Sequence, residues 1–259
     1  MRLTRCFIDQ PLSAQSVITL PEAAAVHIRR VLRLRAGAEL TVFDGRGGEY
    51  AARLLAGGEP LRAQVGEHHP VEREAPLPVT LLQGLARGER MDWIVQKATE
   101  LGAAAISPVA GRHSVVQLEQ SAAARRVAHW RSVAIAACEQ CGRNRLPLIH
   151  PLRELPGACA EVDSTLRLLL VPEARTPLVQ HLEQLRDMHA ELGSTAFSIA
   201  LLVGPEGGLA DEEIELACRA GFSPCTLGPR TLRTETAPLA ALAAIQTLAG
   251  DFRAAIGLR

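Results

Sequence analysis

Lysine is nearly missing from this chain. Of 28 basic residues only Lys97 is lysine, and the other 27 are arginine. Arginine suits planar, bidentate recognition of phosphate, although the abundant alanine also fits the composition bias of a GC-rich genome. Net charge is absent as well, with 28 acidic residues against 28 basic ones. That excludes a uniformly basic, tail-type nucleic-acid binder and leaves room for a local basic patch. Aromatic residues are scarce (two Trp, one Tyr, five Phe), which disfavours an aromatic platform for stacking single strands. No apolar run reaches the ~18 residues that would span a bilayer. The opening MRLTRCFIDQPLS has no apolar signal-type stretch, so a cytoplasmic location is expected, with the six cysteines reduced. What remains is an ordinary globular composition, 47% hydrophobic and 22% charged over 259 residues, long enough for one large or two smaller cores.

Three prolines and mixed charge between His68 and Pro78 mark a boundary, because proline disfavours both helix and central strand. The expected domains are 1–72 and 76–259. The first reads as a small β domain. It has strands near Ser16–Leu20, Glu39–Asp44, Glu49–Leu54 and Leu61–Gly66, a hairpin signal at Gly45-Arg46-Gly47-Gly48, and a helix from Pro21 to about Leu32. The second alternates strand and helix. Strands are predicted at Val79–Gln83, Ala104–Val109, Leu166–Val171, Ser198–Val203 and Pro224–Leu227. Helices are predicted at Glu89–Leu101, Ser121–Cys141, Thr176–Ala190, Asp211–Ala220 and Pro238–Phe252. This alternation implies an α/β fold with a parallel sheet covered on both faces.

Four segments carry polar chemistry. The first is Gly204-Pro205-Glu206-Gly207-Gly208, where a buried strand runs into a glycine-rich turn before a helix that Asp211 is expected to cap. It is neither a dinucleotide fingerprint nor a phosphate loop. Glu212 and Glu213 at the helix start oppose phosphate, so a ligand with a neutral or cationic centre fits better. The second segment, Arg230 to Thr236, packs two arginines, one glutamate and three threonines ahead of a helix whose only polar residues between Ala237 and Ala249 are Gln246 and Thr247. Such a helix is buried or lies at an interface, and the loop reads either as functional or as an Arg–Glu cap on it. The third segment, Cys138-Glu139-Gln140-Cys141, has the C-x-x-C spacing but no second metal-ligand pair. It also falls at a helix C-terminus, whereas redox pairs sit at N-termini. It therefore reads as core, with Gly142 ending the helix. The remaining histidines, including His113, form no metal spacing, and no metal is expected. The fourth segment holds the densest basic patch, with Arg29, Arg30, Arg33 and Arg35 within seven residues. It is either a solvated face or a phosphate dock.

These pieces, in order, resemble a known family. They are Arg5-Cys6-Phe7, the run His27 to Arg33, the run Arg90 to Gly102, Glu139 to Arg143, Gly204 to Gly208, and Leu227 to Ala237. The chain resembles the RsmE-type 16S ribosomal RNA (uracil-N3) methyltransferases of the SPOUT superfamily over nearly its whole length. The resemblance implies an N-terminal PUA-like β-barrel that binds RNA and a C-terminal SPOUT-type α/β domain with a trefoil knot. The knot would not be expected from the general rule against threaded chains. It also implies S-adenosylmethionine as methyl donor, a cationic ligand, and a homodimer with active sites at the subunit interface. The substrate would be a uridine of 16S rRNA or of the small ribosomal subunit, with no membrane involved.

On that reading the cofactor residues are Val171, Pro172, Glu173, Gly204, Pro205, Glu206, Gly207, Gly208, Leu227, Gly228, Leu232, Arg233 and Thr234. The catalytic candidates are Arg233 and Glu235, with Arg143, in cis or from the partner subunit, as a second cation. RNA contacts fall to Arg29, Arg30, Arg33, Arg35, Arg90 and Arg145. Two alternatives stand beside it, a SPOUT enzyme acting on another RNA and a PUA-type RNA-binding assembly factor.

Overall fold

Residues 4–112, 120–192 and 197–253 are described by the computed structural model. The chain divides into two compact units. One runs up to Glu74 and takes in Ile135–Leu146; the other holds Ala75–Ala134 and the chain from Pro147 onward.

In the first unit, β1 (Arg5–Phe7), β2 (Val17–Thr19), β3 (Glu39–Phe43), β4 (Glu49–Leu54) and β5 (Arg62–His69) form one sheet in the order β1-β3-β4-β5-β2. β3 and β4 are the expected antiparallel hairpin, with Leu40 opposite Ala52. β5 runs to His69, into the stretch read as a boundary, because His68 and His69 pair with Tyr50 and Glu49. β1 was not predicted from its pattern; its three residues are all buried and pair in parallel with β3. The predicted helix from Pro21 appears as α1 (Glu22–Val26), followed by one π-helical stretch, His27–Val31, and Arg33 at φ +53°.

The sequence reading left 135–146 in the second domain; the structure gives it to the first unit, for two reasons. Cys138 is buried against Phe7 and Phe43. Buried Arg5 donates to the Arg143 carbonyl (3.1 Å) and Asn144 Oδ1 (2.6 Å) while pairing with Glu49. Fully burying a side chain such as Phe43 contributes about 1.5–3 kcal/mol, while the bonds to Arg5 offset the cost of burying its charge.

The second unit is the predicted α/β layer structure. Its elements are β6 (Val79–Gly84), α2 (Arg90–Glu100), β7 (Ala105–Ala110), α3 (Gln120–Cys141, which counts with the first unit from Ile135 on), β8 (Leu148–Ile149), β9 (Arg153–Glu154), α4 (Leu155–Glu161), β10 (Leu166–Leu170), α5 (Leu178–Leu192), β11 (Ile199–Val203), α6 (Asp211–Arg219), β12 (Ser223–Cys225) and α7 (Ala237–Leu248). The sheet order is β12-β10-β11-β6-β7-β8, with β9 also on β7, and every pairing is parallel.

Side-chain alternation divides the core between the two faces. Ile199, Leu201 and Val203 of β11 join one cluster, with Met91, Ile94, Leu242 and Ile245 from α2 and α7. Ala200 and Leu202 join another, with Ala158 and Ala217 from α4 and α6. A strand buried on both faces explains the unbroken apolar run at β11. α3 ends at Cys141 and is followed by Gly142 at φ +93°, the left-handed conformation that favours glycine after a helix. Asp211 opens α6 without capping it; the capping position is Ala210, whose N–H donates to the Glu213 carboxylate at 2.8 Å.

Candidate active site

Three neighbouring strands end together. β10 lies between β12 and β11, all parallel, so the chains leaving Leu170, Val203 and Cys225 emerge at one edge. That edge is where open α/β sheets receive ligands. There the structure has a cavity of about 660 Å³, in the range of small-molecule sites (~300–1,000 Å³).

Val171, Pro172 and Glu173 line it from β10, and Gly204 to Gly208 from β11. Leu227, Leu232, Arg233, Thr234 and Glu235 line it from the segment before α7, and Arg90 from α2. Of the residues assigned to a cofactor, Gly228 alone is absent from this lining; its N–H donates to Thr226 Oγ1 at 3.3 Å. The wall also includes Leu170, Leu209, Ile214, Arg230 and Thr231. Arg230 and Thr231 belong to the charged loop already singled out, whereas Leu170, Leu209 and Ile214 were not, since an apolar residue carries no signal of its own.

The glycine-rich loop is held from two directions. Glu206 Oε1 accepts the Arg87 N–H at 2.8 Å and Arg90 Nη1 at 2.7 Å. Burial pushes the Glu206 carboxyl up, but the Arg87 amide, its own backbone amide and the Arg90 guanidinium outweigh that and hold it below the ordinary value. Arg90, expected to bind RNA, is thus also a clamp on this loop. Beneath the loop lies Gly84, the last residue of β6. A Cβ there would sit 2.5 Å from Pro205 N and 2.9 Å from the Gly204 carbonyl carbon, so only glycine permits the approach. Sequence reasoning missed Gly84 because its constraint comes from a loop 120 positions away.

At the mouth of the cavity, charges alternate. Glu235 Oε1 lies 3.7 Å from Arg90 Nε and 3.9 Å from Arg233 Nη1. Glu235 is largely buried, whereas the Arg233 side chain is 79% exposed and free to meet a ligand.

Arg143 does not line this cavity. It belongs to the first unit, buried, with Nε and Nη2 donating to Glu74 at 3.1 and 2.5 Å. Arg145 pairs with Glu72 at 3.3 Å. In the basic patch, Arg29 is engaged by Glu59 and the Gly58 carbonyl. The side chains of Arg30, Arg33 and Arg35 are exposed and find no polar partner among the described residues. Burial pushes the Cys138 thiol up to about 12, as suits a core cysteine. Among the described residues, no cluster of His, Cys, Asp and Glu could hold a metal, and no helix is long and apolar enough to cross a membrane. His113 lies outside the described residues.

This fold and site define a class, the RNA methyltransferases with an N-terminal PUA-type domain. Residues 73–246 match the RNA methyltransferase domain family and residues 20–65 match the RNA methyltransferase PUA domain family. Ribosomal RNA small subunit methyltransferase E of Bacillus subtilis is 32% identical, covering 96% of this chain and 100% of its own. The enzyme of the same name from Neisseria gonorrhoeae, solved bound to S-adenosyl methionine, is 36% identical with a TM-score of 0.84, covering 97% of this chain and 100% of its own. A putative methyltransferase from Legionella pneumophila, solved with the cofactor SAM, is 33% identical with a TM-score of 0.87 over the same shares. The chain belongs to the ribosomal RNA small subunit methyltransferase E family.

Proposed function

We propose that this enzyme methylates N3 of a specific uridine in 16S rRNA, using S-adenosylmethionine. The observation that carries the reading is the cavity at the ends of β10, β11 and β12, with an exposed arginine backed by a largely buried carboxylate at its mouth. The lining fits the cofactor: Leu170, Val203, Leu227 and Leu232 supply apolar wall, the glycine loop supplies accessible backbone, and Glu173 supplies a carboxylate for a cationic centre, while Glu206 and Glu235 are engaged by Arg90 and Arg233. Val171 to Glu173, Gly204 to Gly208, and Leu227 and Gly228 with Leu232 to Thr234 would hold it. When bound, it supplies an electrophilic methyl group on a cationic sulfur.

The chain's own task is to make N3 nucleophilic. That nitrogen carries a proton, and losing it spreads negative charge onto the flanking oxygens of uracil. Arg233, its guanidinium exposed at the mouth, stabilises that charge. Glu235, between Arg233 and Arg90, orients Arg233 and is the nearest acceptor for the proton. Arg143, engaged by Glu74, stays outside the reacting set in this reading.

RNA docks on Arg30, Arg33 and Arg35 of the N-terminal domain, whose sheet we read as a PUA-like barrel, with Arg29, Arg90 and Arg145 at secondary contacts. The trefoil knot in the α/β domain is carried over from the resemblance to the family. The half-buried apolar residues Leu239, Ala240 and Ala243 of α7 support a homodimer. A ribosomal substrate supports a cytoplasmic location.

The test is nucleoside mass spectrometry of 16S rRNA from a strain lacking the protein. Loss of 3-methyluridine, restored by the wild-type chain and not by Arg233→Ala, is the expected result. A ribose-methylated product, or no change, would overturn it.

A further inference from the structure

Gln83, at the end of β6, is fully buried and does not line the cavity. Its Nε2 donates to the Gly84 carbonyl at 3.0 Å and to Thr234 Oγ1 at 3.2 Å. The Gly84 contact fixes the amide orientation, since the opposite flip would set two acceptors together. Thr234 in turn donates its single hydroxyl proton to the Gly204 carbonyl at 2.8 Å, so toward Gln83 it can only accept. The result is a directed chain, Gln83 N–H to Thr234 O–H to Gly204 C=O. It joins three parts of the molecule, the central strand β6, the segment before α7 and the glycine loop. Thr234 and Gly204 both line the cavity.

The chain of bonds has a cost. Gln83 Oε1 is buried and finds no hydrogen-bond partner among the described residues, so its desolvation is not offset. An apolar side chain of similar shape would avoid it at this position, deep between β11 and β7. A glutamine kept at a cost in stability is explained by what its amide holds in place.

We propose that Gln83 is a positioning residue that, through Thr234, locks two of the cavity's loops together and so preorganises the cofactor site; this rests on the cavity being that site. Without Gln83, Thr234 keeps its own bond to Gly204 but loses the donor that fixes its position; without Thr234 both bonds are lost, so the two losses do not multiply.

The test combines calorimetry with S-adenosylmethionine, steady-state kinetics, urea unfolding, and amide hydrogen exchange of the cofactor-free protein across residues 204–209. Gln83→Leu and Thr234→Val are each expected to weaken cofactor binding about tenfold, the worth of one buried hydrogen bond. In Gln83→Leu the KM for the cofactor rises to match while kcat stays within a few-fold, and in both variants exchange in the loop speeds up. The double variant binds about as weakly as Thr234→Val alone. Gln83→Leu unfolds at nearly the wild-type urea concentration, because the lost bonds are offset by removing the orphaned oxygen.

Wild-type affinity and exchange in Gln83→Leu would overturn the proposal, as would single effects that multiply in the double. If Gln83→Leu does not fold, Gln83→Met, which keeps the side chain's length but donates no hydrogen bond, decides the matter, and wild-type affinity and loop exchange in it refute the relay. Failure of the wild type to bind the cofactor would refute the functional reading, while loop exchange would still confirm or refute the relay.

Discussion

Adding one methyl group at Gly84 tests the packing on which the cofactor loop rests. The Cβ of Gly84→Ala would lie 2.5 Å from Pro205 N, 2.6 Å from Pro205 Cδ and 2.9 Å from the Gly204 carbonyl carbon. Ordinary contact begins at about 3.5 Å, so the loop or the strand must give by about 1 Å. None of the three atoms ends a flexible side chain. β6 is paired on both sides, with β11 and β7, and cannot withdraw. The loop must move, against the Glu206 contacts to Arg87 and Arg90. Overpacking of this kind costs about 1–3 kcal/mol of stability. A ~1 Å displacement of a positioning element costs on the order of a hundredfold in rate. Urea unfolding of the cofactor-free protein and methylation of 16S rRNA at saturating substrates measure the two effects. The expected variant is folded, modestly destabilised, and impaired in turnover far beyond its unfolded fraction. Wild-type activity would show that Gly204 to Gly208 is an ordinary connection with no demand on its position.

Arg143→Ala breaks a buried ion pair and should cost about 3–5 kcal/mol in the unfolding of the first unit; normal stability with abolished methylation would return Arg143 to the chemistry. Replacing Arg30 and Arg33 by alanine should weaken RNA binding and flatten its salt dependence by about two phosphate contacts, and an unchanged slope would show that the patch faces away from RNA. Acid should loosen the first unit through Glu49. Burial raises its carboxyl, but the hydrogen bond and charge of Arg5, aided by Arg73 and Asn144, outweigh this and hold it below the ordinary 4.5. Its contribution is therefore complete above that value and is lost as pH falls through the lowered one. Glu49→Gln should remove that part of the acid sensitivity in pH-dependent unfolding, and an unchanged acid limb would locate it in other groups.

The amino-acid sequence by itself determined the elements and much of the site's inventory. Periodicity is a local property, so the apolar run of β11 and the one-sided face of α2 declared themselves. The segments around Gly204 and Arg230 stood out because glycine and charge beside a buried run need an explanation. Short strands without a pattern, such as β1, β8 and β9, were invisible, since pairing partners far along the chain create them. Tertiary structure alone decided which polar residues act on which. It turned Arg143 toward Glu74, made Arg90 a clamp on Glu206, and set Gln83 and Gly84 under a loop more than a hundred residues away. The physical reason is that charge and hydrogen-bonding capacity are written in the side chain, whereas the partner that uses them is chosen by packing over distances that no local pattern encodes.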